Sequence, residues 1–251
     1  PHSEQALEYL LDIYQQEKDW TNAIKIAQRI AVKTGKSFAE LISHFYCEQA
    51  ELADKQGEPA RATKLLKKAL SVNKNCVRAS LLEGKLEHEA GNEKAAIRAL
   101  KRIEQQDAEF LPEIIGPLLH CYQSLGKPEE MLTYLREVLS RHDAISIMLN
   151  LAGLLQYYQD DETAEAFIEE FLHHRPSLRG MDRLIEINIK HAKEPVKEKL
   201  RVLKSVTSQL LEDKPVYCCH VCGFNGKTLH WQCPGCKSWD TVKPIQGVEG
   251  E

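Results

Sequence analysis

A period near 34 residues constrains this chain more than any single motif in it. The turn residues Gly57, Gly91 and Gly126 stand 34 and 35 residues apart, and each separates two apolar stretches with helical spacing. Five units align on small residues. The first runs Leu7, Leu10, Leu11, Tyr14, then Lys18-Asp19-Trp20, then Ala23, Ala27 and Ile30. The second pairs Tyr46, Ala50 and Ala53 with Ala62, Leu66 and Ala69, and the third pairs Gly84 with Ala96, Leu100 and Ile103. The fourth sets Leu118, Leu119 and Tyr122 before Met131, Leu135 and Val138; the fifth sets Ala152 and Leu155 before Ala164, Ile168 and Phe171. Small side chains at a helix crossing let the backbones approach, and larger ones face the next hairpin. One such hairpin cannot bury its apolar face alone, so successive units must stack. Only 13 glycines and 10 prolines in 251 residues leave the chain rich in helix-forming types.

Over residues 4–176 this pattern resembles the tetratricopeptide repeat, which implies an all-α fold class built as a right-handed superhelical solenoid. The third unit departs from it, with Glu83 and Glu87 at positions that are usually apolar. Residues 178–212 read as a further helical pair, 181–192 and 195–211, that caps the array. Pro195 suits a first helical turn, and Leu200, Leu203, Val206 and Leu210 form an apolar stripe. Asp213-Lys214-Pro215 then breaks the helix and leads into a separate module at 215–245. So short a connector predicts that the module packs against the helices instead of swinging from them.

That module contains Cys219-His220-Val221-Cys222-Gly223 and Cys233-Pro234-Gly235-Cys236, two turns whose cysteine pairs can each aim both sulfurs at one centre. Such paired turns predict a tetrahedral metal site of Cys219, Cys222, Cys233 and Cys236, with a disulfide as the alternative. The ten residues 223–232 between them allow a short hairpin. Thiolate ligands suit one ion of zinc or iron. Four cysteines leave no coordination position for water or substrate, which points to a structural ion and away from hydrolysis. Metal binding would supply much of the folding free energy of so small a unit. His220 and His230 are expected as polar neighbours, and Phe224, Trp231 and Trp239 as the module's core or its contact with the helices. Cys47, Cys76 and Cys121 are expected as buried small apolar groups, and Cys218 as a thiol outside the site. Nothing resembles a disulfide framework, which suggests a reducing compartment.

The knuckles, with Tyr217, Phe224 and Trp231 flanking them, resemble those of rubredoxin, although the interval between them is shorter and Lys237 replaces a usual glycine. The shortened loop weakens a redox reading, a rubredoxin-like electron carrier docked to a partner, but leaves it as the alternative. The combination of repeats, knuckles, the tail Lys243-Pro244-Ile245, and the stretches His44-Phe45-Tyr46-Cys47-Glu48 and Leu65-Leu66-Lys67-Lys68 resembles the lipopolysaccharide assembly protein B family. That resemblance implies a non-enzymatic adaptor at the bacterial inner membrane that restrains lipopolysaccharide synthesis. Its implied partners are the lipid A biosynthetic deacetylase, a membrane-anchored AAA protease that degrades it, and an opposing inner-membrane protein that senses lipopolysaccharide. It also implies a single N-terminal membrane helix preceding this sequence, with the region here on the cytoplasmic side.

No stretch approaches the ~18 apolar residues of a membrane span, and the chain opens Pro1-His2-Ser3 with no leader, as a fragment would. No phosphate loop, nucleophile triad or paired-carboxylate motif stands out, so no enzyme activity is expected. The net charge of −4 argues against a general nucleic-acid surface. In a tetratricopeptide array the first helices of successive hairpins line a groove. That geometry predicts exposed partner-binding side chains at Asp12, Gln15, Gln16, His44, Glu51, Arg78, Lys85, His88, His120, Gln156 and Tyr157.

Overall fold

The computed structural model describes residues 3–248 and 250. The chain divides into two compact units, one ending at Ala108 and one beginning at Glu109. The first holds α1 (Glu4–Gln16), α2 (Trp20–Thr34), α3 (Ala39–Lys55), α4 (Pro59–Val72), α5 (Val77–Glu89), α6 (Glu93–Lys101) and the single turn α7 (Ile103–Gln106). Helices α1 and α2, α3 and α4, and α5 and α6 pair as antiparallel hairpins, and α3 also packs on α2 and α5. Their ends are written in the sequence. The Ser3 and Asp19 side chains accept hydrogen bonds from the Ala6 and Asn22 N–H groups. Gly57 and Gly91 reverse the chain at φ 75° and 74°, in the left-handed region that side chains resist.

The core between α3, α4 and α5 consists almost wholly of small groups: Cys47, Ala50, Ala53, Ala62, Ala69, Cys76 and Ala79, with Leu66. A Cβ on Gly84 would stand 2.7 Å from Leu100, so the α5–α6 crossing requires glycine there. The two acidic departures of the third unit are answered by polar partners. Glu83 pairs with Arg102, which also donates to Ser80 Oγ (3.0 Å), and Glu87 accepts from Asn92 Nδ2 (2.9 Å).

The second unit holds α8 (Leu111–Ser124), α9 (Pro128–Arg141), α10 (Ile145–Tyr158), α11 (Asp161–His174), α12 (Leu178–His191) and α13 (Val196–Glu212). Three short strands follow, β1 (Tyr217–Cys219), β2 (Asn225–Gly226) and β3 (Val242–Pro244). Ile114, Leu118, Met131, Leu135, Ile147, Met148 and Ile168 are fully buried along its hairpins. Among the described residues no helix is long and apolar enough to cross a membrane.

The last hairpin pairs α12 with α13. Leu203, Val206 and Leu210 of the apolar stripe are about half exposed, at 52%, 50% and 50%. The contact between α12 and α13 is polar at its centre, because Asp182 accepts from Lys204 Nζ (2.6 Å), Thr207 Oγ1 (2.7 Å) and Ser208 Oγ (3.1 Å). The fold class is the expected one: helical hairpins followed by a small strand module.

Candidate metal centre

The module is a three-stranded antiparallel sheet in the order β2-β1-β3. Cys219, at the end of β1, lies opposite Val242. The two knuckles repeat one backbone pattern. In the first, the Gly223 N–H donates to Cys219 O (2.9 Å) and the Cys219 N–H to Phe224 O (2.7 Å). In the second, the Lys237 N–H donates to Cys233 O (2.9 Å) and the Cys233 N–H to Ser238 O (2.8 Å). The turn needs a left-handed residue at its fifth position, and Gly223 supplies it at φ 74°. Lys237 takes the same role at φ 63°, so the departure noted in the sequence is a side chain held where glycine is favoured.

The Sγ atoms of Cys219, Cys222, Cys233 and Cys236 all lie within 4.8 Å of one another. Bonds of ~2.3 Å to tetrahedral corners would put sulfurs about 3.8 Å apart. Cys219 and Cys236 stand at 3.8 Å, and Cys222 and Cys233 at 3.6 Å. A disulfide requires about 2.05 Å, so the spacing fits an ion between the sulfurs. Cys219 and Cys233 are buried, at 1% and 0% exposure, and pack with Val242, Tyr217 and Phe224.

The electrostatics point the same way. Burial raises the Cys219 thiol, but a contact with Thr241 Oγ1 (3.3 Å) and the N–H groups of Cys222 and Val221 outweigh it, bringing the pKa to about 6. The Phe224 N–H favours the Cys222 thiolate, yet burial and the three neighbouring sulfurs raise it to about 11. The sulfurs cannot all be anionic together without a cation among them. Zinc and iron both suit such a donor set. Cys218 Sγ lies outside the group and donates to the Cys219 carbonyl (3.7 Å).

The module packs on the start of α8. Tyr217 donates to Glu113 Oε1 (2.5 Å), and Lys243 Nζ meets Glu109 Oε2 (2.8 Å) while lying 5.6 Å from the Phe110 ring centroid. Trp231 stacks on Phe110 with centroids 5.4 Å apart. Phe224 faces the module's own core, so the aromatic residues divide between core and contact. Nothing in the sequence flagged Glu109, Phe110 or Glu113, because Tyr217 and Glu113 are separated by 104 positions.

The residues expected to meet a partner fall into three groups. Asp12, Gln16, Lys85, His120 and Tyr157 are exposed, Tyr157 at 80%. Gln15, Glu51, His88 and Gln156 are half-buried; His88 Nδ1 lies 2.7 Å from Glu93 Oε2, and Gln156 bonds Asp161. His44 and Arg78 correct the expectation of exposure, at 1% and 3%. Arg78 is buried because its guanidinium donates to Glu48 Oε1 (2.7 Å) and Glu51 Oε1 (2.6 Å), so a charge that reads as solvated is neutralised inside. Burial first, and Arg78 second, hold the His44 imidazole down at about 3, neutral at physiological pH.

Comparison with known proteins agrees with this geometry. Residues 217–244 match the rubredoxin metal binding domain, and residues 1–174 match the tetratricopeptide repeat. Lipopolysaccharide assembly protein B of Escherichia coli (strain K12) is 36% identical over 98% of this chain, and that of Haemophilus influenzae is 30% identical, also over 98%. The chain spans 63% and 62% of the length of these relatives. Among solved structures, Pseudomonas aeruginosa pilF aligns over 83% of this chain and 90% of its own, at 18% identity and TM-score 0.43, too loosely to bear on function. The chain belongs to the tetratricopeptide-repeat family, here joined to a rubredoxin-type four-cysteine module.

Proposed function

We propose that this chain is the adaptor portion of a protein that restrains lipopolysaccharide synthesis. It would hold the lipid A biosynthetic deacetylase where a membrane-anchored AAA protease can degrade it, opposed by an inner-membrane protein that senses lipopolysaccharide. In this reading it works on the cytoplasmic side of the inner membrane and performs no chemistry itself. The observation that carries the reading is the seating of the knuckle module on α8 by Tyr217–Glu113, Lys243–Glu109 and the Phe110–Trp231 stack. The helices of the second unit and the knuckle module are thereby held in fixed register, offering two recognition surfaces within that unit. A donor set made only of cysteine supports a structural ion held by Cys219, Cys222, Cys233 and Cys236. On the helices, the exposed Asp12, Gln16, Lys85, His120 and Tyr157 are the proposed partner contacts.

Cys219→Ala or Cys236→Ala in the intact protein should lose the ion and lengthen the deacetylase half-life in cells. Loss of metal with an unchanged half-life would remove the module from the mechanism. A reversible one-electron wave from the native protein would instead favour electron transfer.

A further inference from the structure

A second feature lies wholly in the first unit and apart from the metal centre. A cavity of about 670 Å³ runs between α2 and α4, with α3 as its floor. Its rims carry five cations, Lys18, Lys25, Arg61, Lys64 and Lys68, against one lining carboxylate, Asp19. Asp19 is already engaged as the cap of α2, accepting from the Asn22 N–H (3.1 Å) and Nδ2 (2.7 Å). Lys18 and Lys64 make no side-chain bond among the described residues. Arg61 meets only Glu58, in an exposed pair that holds it weakly. Lys68 lies 5.9 Å from the Tyr46 ring centroid.

The floor narrows the ligand class. Trp20, Ile24 and Ala53 are already buried, which leaves Leu52, Leu65 and Tyr46 as apolar footholds. The other lining side chains are mainly cations and amides, a lining that suits a charged ligand better than an acyl chain. Gln28, Gln49 and Gln56 also line the cavity. An amide side chain both donates and accepts, as a peptide main chain requires, whereas a phosphate needs donors alone. We infer that this groove binds an extended, acidic protein segment with apolar side chains at intervals, its carboxylates on the lysine rims and its main chain on the glutamines. The inference does not depend on the adaptor reading, because it can be tested with a synthetic peptide.

The test uses the 251-residue protein and a fluorescein-labelled peptide that repeats Glu-Leu-Glu-Asp three times, followed by anisotropy. Binding should weaken as salt rises, as screening of the rim charges requires. The pair Lys64→Glu and Lys68→Glu, both on the exposed face of α4, should weaken it by about ten-fold or more. An unchanged helical circular dichroism spectrum and melting temperature would exclude misfolding. Gln28→Ala, which removes no charge, should weaken binding while leaving the salt dependence intact. Equal affinity of wild type and the double variant would overturn the inference. So would phosphatidylglycerol vesicles that displace the peptide and show the same lysine dependence, since that result would assign the groove to a lipid surface.

Discussion

At the scale of single residues, the chain departs from its own surface pattern where charge is buried. His44 and Arg78 sit on first helices among positions that read as solvated, and the sequence carries no sign that Glu48 and Glu51 draw Arg78 inward. Such a cluster looks the same in a sequence whether it faces water or another helix. His44 gives it a measurable consequence. The folded imidazole stays neutral down to about 3, against 6.5 for the unfolded group. Below pH 6.5 the unfolded chain therefore binds a proton that the folded chain refuses. Stability should fall on acidification by up to ~1.4 kcal/mol per pH unit from this group. Urea midpoints for wild type and His44→Gln between pH 7 and 5 should diverge, the variant showing the shallower loss; parallel curves would place His44 in water. Lys237 is the second residue-scale case. At φ 63° it occupies a glycine's conformation, so Lys237→Gly should stabilise the second knuckle by about 1 kcal/mol, read as slower loss of metal to a chelator.

Among the elements, the hairpins were legible because their turns and crossings demand particular residues. Gly57, Gly91 and Gly126 all fall at left-handed turns, and the alanine-rich seams of α3 and α4 leave room only for close packing. The stripe on α13 was legible as a stripe, but the partners of that helix were not. Leu203, Val206 and Leu210 have helical spacing, but the side chains of α13 that bond α12 are Lys204, Thr207 and Ser208, converging on Asp182. Burial opposes ionisation of Asp182, yet the bonds from Lys204, Thr207 and Ser208 prevail and hold its pKa below 3.8. This contribution is present above pH 3.8 and is lost as pH falls through the lowered folded value. Asp182→Asn should therefore loosen α13 at neutral pH and blunt the acid sensitivity of that helix. Hydrogen exchange at α13 amides checks both, and unchanged protection in the variant would contradict the role given to Asp182.

On the scale of the whole molecule, the sequence revealed two kinds of structure, and that the second packs on the helices, but not which residues join them. Fold class and the convergence of four sulfurs could be read from period and spacing, since both are local in sequence. The seating of the module on α8 could not, because its partners are about a hundred positions apart and individually ordinary. The central claim is that one ion among Cys219, Cys222, Cys233 and Cys236 folds the module and so keeps it on α8. Ion binding of this kind is worth on the order of 10 kcal/mol, more than the remaining contacts of so small a unit can supply. The most direct measurement is hydrogen exchange on the purified chain before and after chelation, with metal content determined in the same samples. The account predicts one ion per chain, and on its removal a loss of protection confined to the three strands and the first turn of α8, with the hairpins intact. A folded chain that contains no ion, or strands that keep their protection after the ion is gone, would contradict it.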